Sequence, residues 1–240
     1  SSAVILALYT AGTQITTYYQ SFGSTINGVL MPGVTRMIEQ KATTKEIQNE
    51  MVKVSRLLFA FLGIIFVGFL VCGKEFMVAW AGEGYEKSYY VAIILMIPML
   101  FSLAQSIGTQ VLWAMDKHKE QSILKLAISV VATVIIIVLI QWDGLLGATI
   151  GTAFAYLVGD VVVMNIIFKK HIKISVKGYW FGMFKGILPC LIISGVVGFL
   201  ISLINLSGWS AILVEGGCTC IAYGISMLLF GMNTYEKSLL

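Results

Sequence analysis

Charge is what this chain has least of. Only 12% of its 240 residues are charged, against 58% hydrophobic, and the mean hydropathy is +0.90. A water-soluble domain carries about 25% charged residues, so the chain has roughly half the usual share. Its apolar residues also fall in blocks, and no stretch between blocks is long enough for a soluble domain. Histidine is almost absent: His118 and His171 both lie in lysine-rich turns. An integral membrane enzyme places His, Asp or Glu sets at membrane depth or at the interface, so the sequence does not read as an enzyme. The four cysteines, Cys72, Cys190, Cys218 and Cys220, sit in or at the ends of apolar segments. The lone Cys218-Thr219-Cys220 lacks the further ligands of a metal site, so packing is the expected role. The opening "SSAVILALYTAG" has no initiator Met and no basic region before an apolar core. It is not a secretory signal and reads as the middle of a longer polypeptide. Asn205-Leu206-Ser207 matches a glycosylation sequon, but within a very short turn.

What the chain does have is a series of apolar segments near the length of about 20 residues that a bilayer requires. Seven are expected, at 3–33, 54–73, 88–114, 122–140, 144–168, 179–204 and 209–232. The fold class is therefore an all-α polytopic membrane protein. The turns after spans one, three and five, with the C-terminal tail, hold Arg36, Lys41, Lys45, Lys53, Arg56, Lys117, Lys119, Lys125, Lys169, Lys170, Lys173, Lys177, Lys185 and Lys237, whereas the other side holds Lys74 and Lys87. The positive-inside rule then puts the N-terminus outside and the C-terminus in the cytoplasm. It also accounts for the net charge of +4 without a nucleic-acid partner. Thr43, Thr44, Lys45 and Glu46 fit a capping box, which predicts a helix from about Lys45 running unbroken into span two.

Polar residues inside spans are the candidates for function, because hydrocarbon leaves them without partners. Span one carries Thr10, Thr13, Gln14, Thr17, Tyr18, Ser21, Ser24, Thr25 and Asn27, several at helical spacing on one face. Such a face either bonds to neighbouring helices or lines a hydrated cavity, and the number of polar groups favours the cavity. Span three has Gln105, Ser106, Thr109 and Gln110 after Pro98, a position where a bend is expected. Asp160 is the most deeply placed acid and reads either as an ion-coupling group or as a carboxyl that is neutral or paired with a lysine such as Lys125. Glu215 lies nearer the outer interface. Trp80, Tyr85, Tyr89 and Tyr90 suit an interfacial aromatic belt. Gly147 and Gly151 form a small-residue face for close helix approach.

Three stretches, taken in order, resemble a known family. "ALYTAGTQITTYYQSFGSTINGVLMPGVTRM" resembles the second helix of a lobe in polysaccharide flippases of the multidrug/oligosaccharidyl-lipid/polysaccharide exporter superfamily. "GKEFMVAWAGEGYEKSYYVAIILMIPMLFSLAQSIGTQVLWAMDKHKEQS" resembles the outer turn, helix and basic inner turn that follow. "DGLLGATIGTAFAYLVGDVVVMNIIFKKHIKI" resembles the Gly-rich helix and basic turn of the same lobe. The resemblance implies that residues 1–175 are the second lobe of a two-lobe exporter without its first helix, and that 176–240 are an additional C-terminal helix pair. It implies an O-antigen-type flippase in the bacterial cytoplasmic membrane. Its substrate would be undecaprenyl-diphosphate-linked oligosaccharide, and its other partners membrane lipids and the remaining lobe of the same polypeptide. No cofactor is implied beyond a coupling ion, H+ or Na+. Cations at the cavity mouth would attract the diphosphate. Arg36 is the first candidate, then Lys117 and Lys125, with Gln14, Tyr18, Asn27, Gln105 and Gln110 along the path and Asp160 for ion coupling. The alternatives are a drug or cation exporter of the same superfamily, or a seven-helix receptor, although no D/E-R-Y follows span three and no N-P-x-x-Y lies in span seven.

Overall fold

The computed structural model describes residues 2–40, 42–204 and 208–237, less the side chains of residues 2, 27–32, 34–35 and 234–235. The Asn205 sequon and the Asn27 side chain therefore lie outside the described residues. Among the described residues there are helices and no strands. They are α1 (Ser2–Glu39), α2 (Thr44–Ala81), α3 (Glu86–Ala104), α4 (Ser106–Ala114), α5 (His118–Ile140), α6 (Gly144–Ile172), α7 (Val176–Phe184), α8 (Ile187–Ser202), α9 (Gly208–Gly231) and the short α10 (Thr234–Lys237). Helices α2, α3, α5, α6 and α9 are each long and apolar enough to cross a bilayer, and α7 with α8 forms a sixth span bent by 43°. Helix α1 has the length, at 38 residues, but is the polar one. The chain is a multi-pass α-helical membrane protein, and the count of seven spans is approximate.

Local chemistry explains most helix ends. Thr43 caps α2 through the expected box: its hydroxyl accepts from the Glu46 N–H, and the Glu46 carboxylate accepts from the Thr43 N–H at 2.7 Å. Helix α2 continues beyond the expected span to Ala81, about 57 Å at 1.5 Å per residue. Its last two turns bury Met77, and Gly82, at φ 101°, stops it. Asp143 caps α6, accepting from the N–H groups of Leu145 and Leu146. Span three is interrupted at Gln105 rather than at Pro98, which is buried within a continuous α3. The small-residue face of α6 does meet a neighbour: a Cβ on Gly147 would lie 2.1 Å from the Leu139 carbonyl oxygen of α5.

The core lies around α2, which packs against α1, α3, α7, α8 and α9. One apolar cluster joins Tyr19, Phe59, Leu62, Met96, Ile187 and Met227, so residues after 176 share a core with those before. The tyrosine hydroxyls of this core are satisfied by α2: Tyr19 donates to the Leu62 carbonyl at 3.0 Å and Tyr223 to the Ala60 carbonyl at 2.9 Å.

Arg56 holds the lysine-rich end of this core together. The chain turns sharply at Gly186, φ 84°, where a Cβ would lie 2.8 Å from the Gly231 carbonyl. That break leaves helix-end carbonyls without their usual donors. Arg56 donates to the carbonyls of Gly182, Lys185 and Gly231 and makes two further bonds to the Glu236 carboxylate, at 2.7 and 3.0 Å. All five guanidinium N–H groups are thereby used. Burial alone would raise the Glu236 carboxyl, but the bonds from Arg56 and from the Asn233 N–H outweigh it and hold it below the ordinary value. Replacing Arg56 by Ala is expected to cost about 3–5 kcal/mol, read as earlier unfolding of the purified protein in detergent. Because the folded carboxyl is depressed, its contribution is full above the unfolded value of about 4.3 and is lost as pH falls through the folded one. A Glu236→Gln variant should therefore show a flatter acid limb than wild type.

Candidate functional site

Helix α1 presents two unlike faces. Leu8, Ile15, Thr16 and Tyr19 are buried against the bundle, whereas Thr10, Gln14, Thr17, Tyr18, Gln20, Ser21, Ser24 and Thr25 are exposed. The hydroxyls on this outer face donate to their own helix: Thr10 to the Leu6 carbonyl at 2.8 Å, Thr17 to Thr13 at 3.0 Å, Ser21 to Thr17 and Thr25 to Ser21, each at 2.9 Å. Their donors are spent locally, and their oxygens still face outward as acceptors. No protein hydrogen bond engages the Gln14 or Gln20 amide among the described residues. Gln20 belongs to this face as fully as Gln14, and its three- and four-residue spacing from Thr17 and Ser24 is the signal that finds it.

Two clefts run between α1 and α2. One, of about 500 Å³, is lined by Ile15, Tyr18, Phe22, Phe69 and Phe76, with Ser21 and Thr25 on its edge. The other, of about 560 Å³, lies nearer the lysine-poor end between Thr10, Gln14, Trp80 and Tyr85. Phe69, Phe76 and Trp80 make a line of rings down α2, with centroids 6.1 and 6.3 Å apart. These volumes fall within the range of small-molecule sites. The clefts thus offer aromatic and apolar contact on the α2 side and hydrogen-bonding groups on the α1 side.

No family model, curated protein or solved structure matches the chain.

The other sequence candidates lie apart from these clefts. Arg36 is exposed near the end of α1, and Lys117 is exposed in the turn before α5. Gln105 is buried: its amide donates to the Asp160 carbonyl oxygen, and its own oxygen accepts from Asn165 Nδ2 at 3.1 Å. Asn165 in turn accepts from the Trp180 indole at 2.8 Å. Leu157–Val162 is a π turn inside α6, and π turns leave backbone groups out of the regular ladder. The Asp160 carbonyl that Gln105 reaches lies within this turn. The Gln110 side-chain oxygen is buried without a partner.

Lys125 and Asp160 are brought together, with Nζ 2.6 Å from Oδ1 across the α5–α6 hairpin. The pair is only half-buried. At the lysine-rich end of the same hairpin, Glu120 accepts from Lys170 and meets the His171 ring, each at 2.5 Å. Lys125→Ala would strand the Asp160 carboxylate and is expected to cost about 1–3 kcal/mol, between exposed and buried pairs. The double variant Lys125→Met with Asp160→Leu should recover most of that in thermal unfolding. A double variant as unstable as Lys125→Ala would exclude the pair as the cause.

Proposed function

We propose that this chain is part of a membrane transporter whose polar α1 face and α1–α2 clefts line the substrate path. The observation that carries the reading is the contrast between its outer faces. Helix α5 exposes Ile123, Leu126, Val130, Val134 and Ile137, and α8 exposes Ile192, Val196 and Phe199, surfaces suited to lipid. Among the described residues, α5 exposes three hydroxyls, Ser122, Ser129 and Thr133, each bonded to its own helix, whereas α1 turns eight hydroxyl and amide side chains outward, from Thr10 to Thr25. Lipid gives such groups no partner, so a face of this kind belongs against water, substrate or a second polar lobe.

The cargo proposed is an undecaprenyl-diphosphate-linked oligosaccharide, carried from the cytoplasmic to the outer leaflet of a bacterial cytoplasmic membrane. Sugar hydroxyls suit the Gln14 and Gln20 amides and the serine and threonine oxygens. Aromatic rings such as Tyr18 and Trp80 suit the apolar faces of sugars or the isoprenoid chain. The diphosphate needs cations at the cytoplasmic mouth, and exposed Arg36 at the end of α1 supplies a fork-shaped one. Lys117 is a second cation at the same end. The lysine-rich end is placed in the cytoplasm by the positive-inside rule. Transport proceeds by rocking of this helical unit against a facing one, with no covalent chemistry.

Two measurements test this. In a variant of the intact protein lacking its native cysteines, single cysteines at Gln14, Thr17 and Ser21 should react with a membrane-impermeant thiol reagent. Cysteines at Val134 and Ile137 should not, and equal protection at all five would remove the hydrated path. Losing a charge-assisted contact of about 1.5 kcal/mol corresponds to about a tenfold loss of affinity, so Arg36→Ala should lower surface polysaccharide export. Unchanged export would exclude Arg36 from the mouth.

A further inference from the structure

The least compensated acid in the chain is on α9, away from the α1 face. Glu215 is 2% exposed, and its Oε2 is sealed without a hydrogen-bond partner. It lies seven residues after Gly208, about 10 Å into the helix. The nearby donors are committed elsewhere: Thr219 gives its hydroxyl to the Glu215 backbone carbonyl at 2.7 Å, and the Cys72 thiol gives its hydrogen to the Gly68 carbonyl at 3.1 Å. Helix α2, packed against α9, brings Glu75 and Cys72 into electrostatic reach of it. Helix α8, the other neighbour, contains no charged residue, and its Cys190 gives its thiol hydrogen to the Gly186 carbonyl. Helix α9 carries no second charged residue; its further titratable side chains are Cys218, Cys220 and Tyr223, the last donating to the Ala60 carbonyl of α2. Lys74, beside Glu75 in the chain, is exposed, and no cation lies within ion-pair distance of Glu215 among the described residues.

A carboxylate that is almost wholly buried, with one oxygen sealed, no donor and a second acid within electrostatic reach, is costly as an anion. Adding one proton removes that cost, and removing it again requires the pocket to open or the proton to pass to Glu75. The described residues contain no group of three or more ligating side chains that could hold a metal ion. We propose that Glu215, backed by Glu75, is a proton-binding site between α2 and α9, loaded from the lysine-poor end. The proton is held as the neutral acid and is released when α9 shifts against α2. This site does not depend on the cargo proposed for the α1 clefts, and its test uses no transport assay.

Dicyclohexylcarbodiimide reports such a group directly. A protonated carboxyl adds across the carbodiimide, and the adduct rearranges to a stable N-acylurea with no atom lost. With the intact protein in lipid nanodiscs, peptide mass spectrometry should find the adduct on Glu215, with labelling that falls as pH rises. Glu215→Gln should abolish it, and Glu75→Gln should move the pH dependence of Glu215 labelling downward by removing a like charge. Absence of the adduct across the pH series, or labelling that does not vary with pH, would overturn the proposal. Protection by added Na+ at constant pH would also overturn it, by making the site one for sodium. The wild-type pH series decides the matter even where a variant fails to fold.

Discussion

A helix that breaks inside a bilayer exposes carbonyls that lipid cannot satisfy, and the shape of this protein follows from how it meets that requirement. The span formed by α7 and α8 is broken at Gly186, and α9 ends at Gly231 against the same spot. One guanidinium on the facing helix accepts the consequence, bonding to the carbonyls of Gly182, Lys185 and Gly231. A buried arginine would itself be costly, and Glu236 neutralises it with a bidentate contact. Remove any part and the others are left uncompensated. The sharp turn, the position of α2 and the docking of α10 therefore belong to one arrangement.

The same rule operates with a neutral group on the other side of the bundle. The π turn in α6 puts the Asp160 carbonyl toward α3 and α4, and Gln105, at the break between those helices, donates to it. Two irregular helices are joined at their irregularities. Asn165 and Trp180 extend the bonds to α7, so both sets of irregular backbone converge on the short helix that opens the bent span. With its interior polar groups mostly satisfied in this way, the protein can leave one polar surface open, and that surface is on α1.

Local signals in the chain announced much of this fold. Thr43 and Glu46 are three residues apart and define a cap wherever they occur before an apolar run. Apolar length and the placement of lysines mark the spans because lipid acts on each segment separately. Gly147 and Gly151 mark a close approach because nothing else is small enough. The partnerships that hold the bundle are not local. Arg56 and Glu236 are 180 residues apart, and Gln105 and Asp160 are 55 apart. Arg56 looks like one more inner-turn cation until the carbonyls it reaches are placed around it. Pro98 signals a bend from the sequence, and α3 runs through it as one helix, whereas the interruption lies at Gln105, where a side chain bridges to the next helix. On α1 the polar face was legible from spacing, but its outward direction was not, since the same pattern suits an inward one.

The two membrane-depth acids show why position along a span is a poor measure of how an acid behaves. Counted from the helix ends, Asp160 is the deeper and Glu215 the nearer to headgroups. What governs a carboxylate is its compensation rather than its depth. Asp160 has Lys125 at 2.6 Å and partial access to the surface, so its carboxylate is paired. Glu215 has no ion-pair partner among the described residues, its Oε2 has no donor, and the Thr219 hydroxyl one turn on is given to the Glu215 backbone carbonyl. The shallower acid is thus the one left without a cation, and it lies in the C-terminal helices. Among the described residues, α2 packs against both the helix of Glu215 and the polar helix α1. That helix is the element the two share, and Arg56 ties its lysine-rich end to the carbonyls of Gly182, Lys185 and Gly231.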